Sequence, residues 1–276
     1  MYLRLLSLSL LAFLSLPARA AQSYDNCTGF IDSLPTSIST QGVWCLRKNL
    51  TTAINNADAI AVVGNNITID CNEFKIGGLA AGPSTQAIGI GSNGSQNITV
   101  RNCGIRGFSR GIELTGGAGH LVEDNRLDNN IYIGIAVTGD YSMVRRNRIF
   151  DMGSALSTGS YSLIVKGDAI DNVIAGASGS SSNYIGNGLV SLGTGGVLRG
   201  NRISGMQNAG SSGAVGIWIM EGYGMRIEDN HLVDTVAGDT IGISAGSGDV
   251  CIGNSTLGYA VAKYGCTLGS GEITTP

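Results

Sequence analysis

Short runs in which aliphatic and polar residues alternate recur along this chain. Ile67 and Ile69 alternate with Thr68 and Asp70, and Ile98 and Val100 alternate with Thr99 and Arg101. A period of two marks strands. Asn72, Cys103, Asn125, Asn147, Asn172, Asn201, Asn230 and Asn254 close such runs, and an aromatic or aliphatic residue stands two places beyond most of them, as in Asn125-Arg126-Leu127. A Gly or Ser then opens a further alternating run: Gly111-Ile112, Gly134-Ile135, Ser162-Leu163, Gly216-Ile217 and Gly242-Ile243. Three short strands per repeat, returning every 22 to 31 residues, predict an all-β, single-domain parallel solenoid with three sheets around one core.

Asparagine suits a corner that is stacked turn upon turn. Its amide donates to and accepts from the amides one turn away, about 4.8 Å along the stack, and it tolerates left-handed backbone. These residues are therefore expected to be structural. Two places before them the charges alternate in sign through Asp70, Arg101, Glu123 and Arg145, then Arg199 and Glu228 after Ile170, with Asp124, Arg146 and Asp171 in the next file. Opposite charges on neighbouring strands predict a salt-bridge ladder that fixes register.

The segments Asn66-Ile67-Thr68-Ile69-Asp70-Cys71-Asn72, Asn97-Ile98-Thr99-Val100-Arg101-Asn102-Cys103 and Leu121-Val122-Glu123-Asp124-Asn125-Arg126-Leu127 resemble the repeats of right-handed parallel β-helix proteins. That superfamily is typified by pectate lyases and periplasmic NosD-like proteins. The resemblance implies the fold and no single function, since the superfamily includes enzymes, adhesins and proteins without activity. In its pectate-lyase branch the substrate groove lies along the sheet that corresponds to the Gly-Ile runs. The paired Asp and Gly-His-Gly of the polygalacturonases and the Asp-Pro-His of the alginate epimerases are absent from this chain.

Outside the repeats, Arg4, the apolar stretch Leu5 to Leu16 and Ala18-Arg19-Ala20 read as a signal peptide over residues 1–20. A cap segment is expected over 21–58, the β-helix over 59–255 and a C-terminal cap or tail over 256–276. An exported protein, secreted or periplasmic, makes its cysteines available for disulfides. Cys27 with Cys45 and Cys251 with Cys266 are expected to bond within the caps, each closing a short loop. Cys71 and Cys103, near one corner of neighbouring turns, are expected as two buried thiols, a bond between them being the alternative. Of 276 residues 43 are Gly and only 4 Pro, which fits many short strands and tight turns, and a net charge of −3 gives no electrostatic case for nucleic acid or anionic lipid. No membrane insertion and a monomer are expected.

Turn length carries the functional hint. The distance from the asparagine position to the next Gly-Ile run grows from 8 and 9 residues at Cys103 and Asn125 to 15, 16, 15 and 12 at Asn147, Asn172, Asn201 and Asn230, while the return stays at 10 to 14. Insertions gathered at one corner commonly build a binding surface. The outward residues of the adjoining sheet include Glu113, Lys166 and Trp218, with Tyr161 and Tyr184 ending two of the insertions. Aromatic platforms beside polar groups suit a sugar ring. The first expectation is thus a protein that binds an extracellular or cell-wall polysaccharide. The alternative is a polysaccharide lyase or glycoside hydrolase acting on an acidic glycan, with Lys166 or an arginine as base and Asp151 and Asp239 as candidate partners. A non-catalytic interaction solenoid is the third. Arg126, Arg148, Arg202 and His231 form a basic file that either is screened by solvent or binds an anion. No cofactor is expected, calcium entering only with the lyase alternative. His120 and His231 are expected as surface imidazoles rather than metal ligands.

Overall fold

The computed structural model describes residues 24–153, 159–178, 186–206, 213–234 and 239–275. The expected signal peptide lies outside them. Among the described residues the strands pair in parallel, each with its counterpart one turn away, in three stacks. The charge-ladder stack includes Ile98–Arg101, Leu121–Glu123, Val197–Arg199 and Arg226–Glu228. The post-asparagine stack includes Gly104–Arg106, Arg126–Asp128, Arg148–Met152, Val173–Ala177 and Arg202–Ser204. The Gly-Ile stack includes Ile88–Asn93, Arg110–Thr115, Gly186–Ser191, Val215–Ile219 and Ile241–Ser244. Ile133–Arg145 and Ser160–Ile170 turn the corner from the Gly-Ile stack into the charge-ladder stack without a break, joining those two stacks into one hydrogen-bonded sheet.

The core is built from inward files that alternation produces. Ile90, Ile112, Ile135, Leu163, Leu189, Ile217 and Ile243 are successive strand partners and fully buried. Lys263 follows them at the last turn, its buried ammonium paired with Glu272.

Asparagine stacking is real from Asn125 onward. The side-chain amides of Asn125, Asn147, Asn172, Asn201 and Asn230 each donate to the amide oxygen of the next asparagine at 2.9–3.1 Å, and Asn254 hands the chain on to Glu272 Oε1. Each amide also donates inward to a backbone carbonyl, as Asn172 does to Val144. Asn72 takes the expected left-handed backbone, at φ 46°, but in the later turns it falls one residue earlier, on Asn102, Asp124, Arg146, Asp171, Gly200, Asp229 and Gly253. The asparagine itself must keep its amide aimed along the axis, so the preceding residue takes the turn.

At Asn72 the ladder expectation fails. Its amide donates to the Leu46 carbonyl, and the corner contains instead a Cys71–Cys103 disulfide with Cα atoms 4.7 Å apart. This corrects the expectation of two thiols: the two cysteines meet because Cys103 stands in the asparagine file, its N–H donating to Asn125 Oδ1, and the extra residues of the preceding turn bring Cys71 against it. Cys27–Cys45 and Cys251–Cys266 are bonded as anticipated. The segments expected as caps carry rung strands themselves, Gly29–Ile31 pairing with Gly42–Leu46 and Val250–Ile252 with Thr267–Leu268.

The charge files fall into register and make ion pairs: Arg101 with Asp70 at 2.7 Å, Arg145 with Glu123 at 2.7 Å, Arg146 with Asp124 at 2.7 Å and Arg199 with Glu228 at 3.7 Å. Exposed pairs of this kind contribute about 0.2–1 kcal/mol each and chiefly penalise a slipped register. Asp124 is held below the ordinary carboxylate range by its hydrogen bond to Arg146. His120 is buried rather than superficial. Its Nδ1 accepts the Ile98 N–H and its Nε2 donates to the Gly116 carbonyl, which assigns the Nε2–H tautomer and makes the ring a corner acceptor like the asparagines. His231 is exposed, as anticipated.

Candidate functional site

Alternation turns one set of side chains on the Gly-Ile stack outward, and parallel register aligns them. One file reads Gly91, Glu113, Ala136, Ile164, Val190, Trp218, Ser244 and Tyr264, and another Ile88, Arg110, Ile133, Tyr161, Asn187, Val215 and Ile241. The long insertions leave and return at the corner between the post-asparagine and Gly-Ile stacks, since Arg148–Met152 and Ser160–Ile170 flank one, and Arg202–Ser204 and Val215–Ile219 another. Residues 154–158, 179–185, 207–212 and 235–238 of the insertions, Tyr184 among them, lie outside the described residues.

At that edge Arg110 Nε stands 3.2 Å from Glu113 Oε1, the Arg110 guanidinium lies 5.7 Å from the Tyr132 ring, and Tyr132 meets Tyr161 edge to face at 5.7 Å. Burial pushes the Tyr161 phenol upward, with Tyr132 adding to the shift. Burial also raises Glu113 above the ordinary carboxylate range; Arg110 opposes the shift and Asp58 reinforces it. Asp58 is raised by its own burial. The two acids are close for a local reason. A Cβ at Gly91 would stand 2.3 Å from Asp58 Oδ2, and Gly91 is the direct strand partner of Glu113. Glu113 thus rises one strand spacing, ~5 Å, from the glycine that the Asp58 carboxylate covers.

The opposite edge holds Lys166, whose Nζ lies 2.6 Å from Asp140 Oδ1 beside a cavity of about 560 Å³. The hydrogen bond to Asp140 raises the Lys166 ammonium above its ordinary range, and Glu221 adds to this. A lysine held cationic cannot accept a proton, so this pairing works against the role of base that the sequence offered it. Asp151 and Asp239 do not join it. Asp151 is a left-handed corner residue in a different cavity, lined by Leu79, Asn129 and Ile131, and Asp239 sits in an exposed bend before Ile241–Ser244. Trp218 stands between Val190 and Ser244 in the central file. On the post-asparagine stack Arg126, Arg148, Val173, Arg202 and His231 are successive partners, so the basic file exists as a file, flanked by Asp124 and Asp171 in a cavity of about 480 Å³.

Sequence reasoning missed Asp58 and Tyr132. Asp58 was assigned to a cap, although Asp58-Ala59-Ile60-Ala61-Val62 alternates like every other Gly-Ile run, a signal that was present. Among the described residues no group of three or more His, Cys, Asp or Glu side chains converges as a metal site.

The chain matches the family model described as right handed beta helix region over residues 37–190 and 88–274. No curated protein matches it in sequence. Among solved structures it is similar to the mannuronan C-5 epimerase AlgE6 A-module of Azotobacter vinelandii, with 15% identity, a TM-score of 0.52, and coverage of 90% of this chain and 80% of that one. The tailspike protein of E. coli bacteriophage HK620, solved with a pentasaccharide, is similar at 13% identity and a TM-score of 0.48, over 89% of this chain and 53% of the tailspike. The likeness to the epimerase module, at this identity, shows the fold alone.

Proposed function

We propose a glycan-binding role, on the premise that the chain belongs to the right-handed β-helix family. The protein is exported and holds an extracellular or cell-wall polysaccharide along the outward face of the Gly-Ile stack. The observation that carries this reading is the alignment of Arg110, Tyr132, Tyr161 and Trp218 on one face, where aromatic rings offer apolar platforms and charged groups meet hydroxyls. Three disulfides support an oxidising compartment. Among the described residues no helix is long and apolar enough to cross a membrane. Replacing Trp218 by alanine is expected to weaken binding on a glycan array at least tenfold with the circular dichroism spectrum unchanged; undiminished binding removes this groove from consideration.

A second reading, hydrolysis, is favoured by Asp58 and Glu113. A retaining glycosidase needs a nucleophile and an acid about 5 Å apart; Asp58 lies over the glycine beside Glu113, and the raised Glu113 suits it to donate a proton. Hydrolysis releases new reducing ends. If it occurs, its rate should fall as pH rises through the elevated Glu113 range, and Glu113→Gln should abolish it while leaving binding intact. No reducing ends from any glycan that binds would end this reading and leave the first in place.

A further inference from the structure

We infer that the corner cavity beside Lys166 holds one pyranose ring of an uncharged glycan, stacked on Tyr141. The inference rests on the groove reading above and adds to it a position and a sugar class.

Tyr141 is the first ground. It has φ 53°, in the left-handed region, where the other non-glycine residues are asparagines and aspartates apart from Glu73 and Arg146. Short polar side chains tolerate that backbone because they bond locally, whereas a bulky one is strained. Arg146 is held there by its bonds to Asp124 and Glu123. Tyr141 is 92% exposed, so packing inside the chain does not offset its strain. Strained residues that the fold does not need gather at binding sites, and an exposed ring invites a flat apolar partner.

The cavity is the second ground. Asp140, Lys166, Asp168 and Thr194 line it with Tyr141, over about 560 Å³, a volume suited to a sugar unit. Gly195, also in its lining, has open space where a Cβ would stand. Three successive turns contribute, so the cavity opens at the Lys166 edge of the sheet that carries Trp218.

The ion pair selects the class of sugar. Lys166 and Asp140 are both about half exposed, at 45% and 55%, and one contact between them leaves ammonium N–H groups and a carboxylate oxygen for other partners. Adjacent sugar hydroxyls satisfy both, one accepting from Lys166 and the other donating to Asp140. A uronate carboxylate would meet Asp140 and Asp168 next to a lysine already neutralised, and like charge at such a distance opposes it. Neutral glycans are therefore preferred to polyuronates.

The test compares the wild-type chain with Tyr141→Gly, Tyr141→Phe and Trp218→Ala on an array of neutral hexasaccharides (β-glucan, mannan, xylan and galactan) and uronate hexamers, with a thermal melt of each protein. The expected result is binding of a neutral hexasaccharide, at least tenfold weaker in Tyr141→Gly and within about twofold of wild type in Tyr141→Phe. Glycine relaxes the left-handed backbone, so the melting midpoint of Tyr141→Gly should hold or rise. A lowered midpoint in Tyr141→Gly would make Tyr141 a structural residue and overturn the inference. Unchanged binding in Tyr141→Gly beside lost binding in Trp218→Ala overturns it too, and leaves the groove reading standing. Binding of uronate hexamers alone overturns the sugar class, and no glycan bound by the wild type overturns both readings together.

Discussion

Replacing Asn172 by leucine will lower the unfolding free energy by about 3 to 5 kcal/mol, because a buried ladder is broken at its middle. Asn172 accepts the Asn147 N–H at 3.0 Å and its amide at 3.1 Å, and donates to the Val144 carbonyl at 2.9 Å and to Asn201 Oδ1 at 3.0 Å. Leucine matches the volume and none of these bonds. The Asn147 N–H and the Val144 carbonyl are then left in a dry corner, each at a cost of about 1–3 kcal/mol. Asn172→Asp should fail as well, since a carboxylate cannot donate to the two acceptors that the amide serves. Asn72→Leu is the internal control. Its amide donates to the Leu46 carbonyl, outside the ladder, and its loss together with the strain of leucine at φ 46° should cost about 1–2 kcal/mol. Denaturation midpoints in urea measure all three, with limited proteolysis locating any local opening, since long repeat arrays need not unfold in one step. Equal midpoints for Asn72→Leu and Asn172→Leu would remove the ladder from the account of stability.

Gly188→Val is expected to be comparably damaging, about 3 kcal/mol, through overpacking. A Cβ at Gly188 would stand 2.5 Å from the Gly216 carbonyl oxygen and 2.8 Å from Ile203 Cγ2. Gly111, Gly134, Gly216 and Gly242 meet the next turn in the same way, at 2.4–2.7 Å from a carbonyl oxygen. The file therefore needs small residues because neighbouring strands approach closely at the corner, and φ plays no part. Ser162 occupies the same file and is fully buried, so a single Cβ is accommodated where the turn shifts. Gly188→Ala should accordingly cost clearly less than Gly188→Val. Gly82 supplies the contrast: with φ +80° and open space around its absent Cβ, Gly82→Ala should lose only about 1–2 kcal/mol, from backbone strain alone. A valine at 188 with an unchanged melting midpoint would show that the turns can separate there.

The asparagine ladder and the glycine file were both legible as repeats, and the ladder misled in detail. Asn72 has the spacing of a ladder residue, yet its corner is closed by a disulfide. Left-handed geometry was assigned to the asparagine because asparagine tolerates it, whereas Asp124 or Arg146 adopts it. Residue preference gives what a position permits, and the hydrogen bonds of the stacked turn choose among the permitted conformations. The candidate site was legible as a face. Trp218 and Glu113 could be placed on the outward side of one sheet from alternation alone, and register sets both in one file, whereas Tyr161, read as the end of an insertion, stands within a strand in the neighbouring file.

What the chain spells out by itself is the coil: a period of two within each strand and of one turn between strands fixes which residues face inward and which files stack, because both repeats act over near neighbours. Partnerships between turns were decided only by the tertiary structure. Asp58 against Glu113, Lys166 with Asp140, and Cys71 with Cys103 depend on how turns of unequal length bring side chains across a strand spacing or around a corner. That convergence is a property of the stacked turns together, and the alternation within any one turn carries no trace of it.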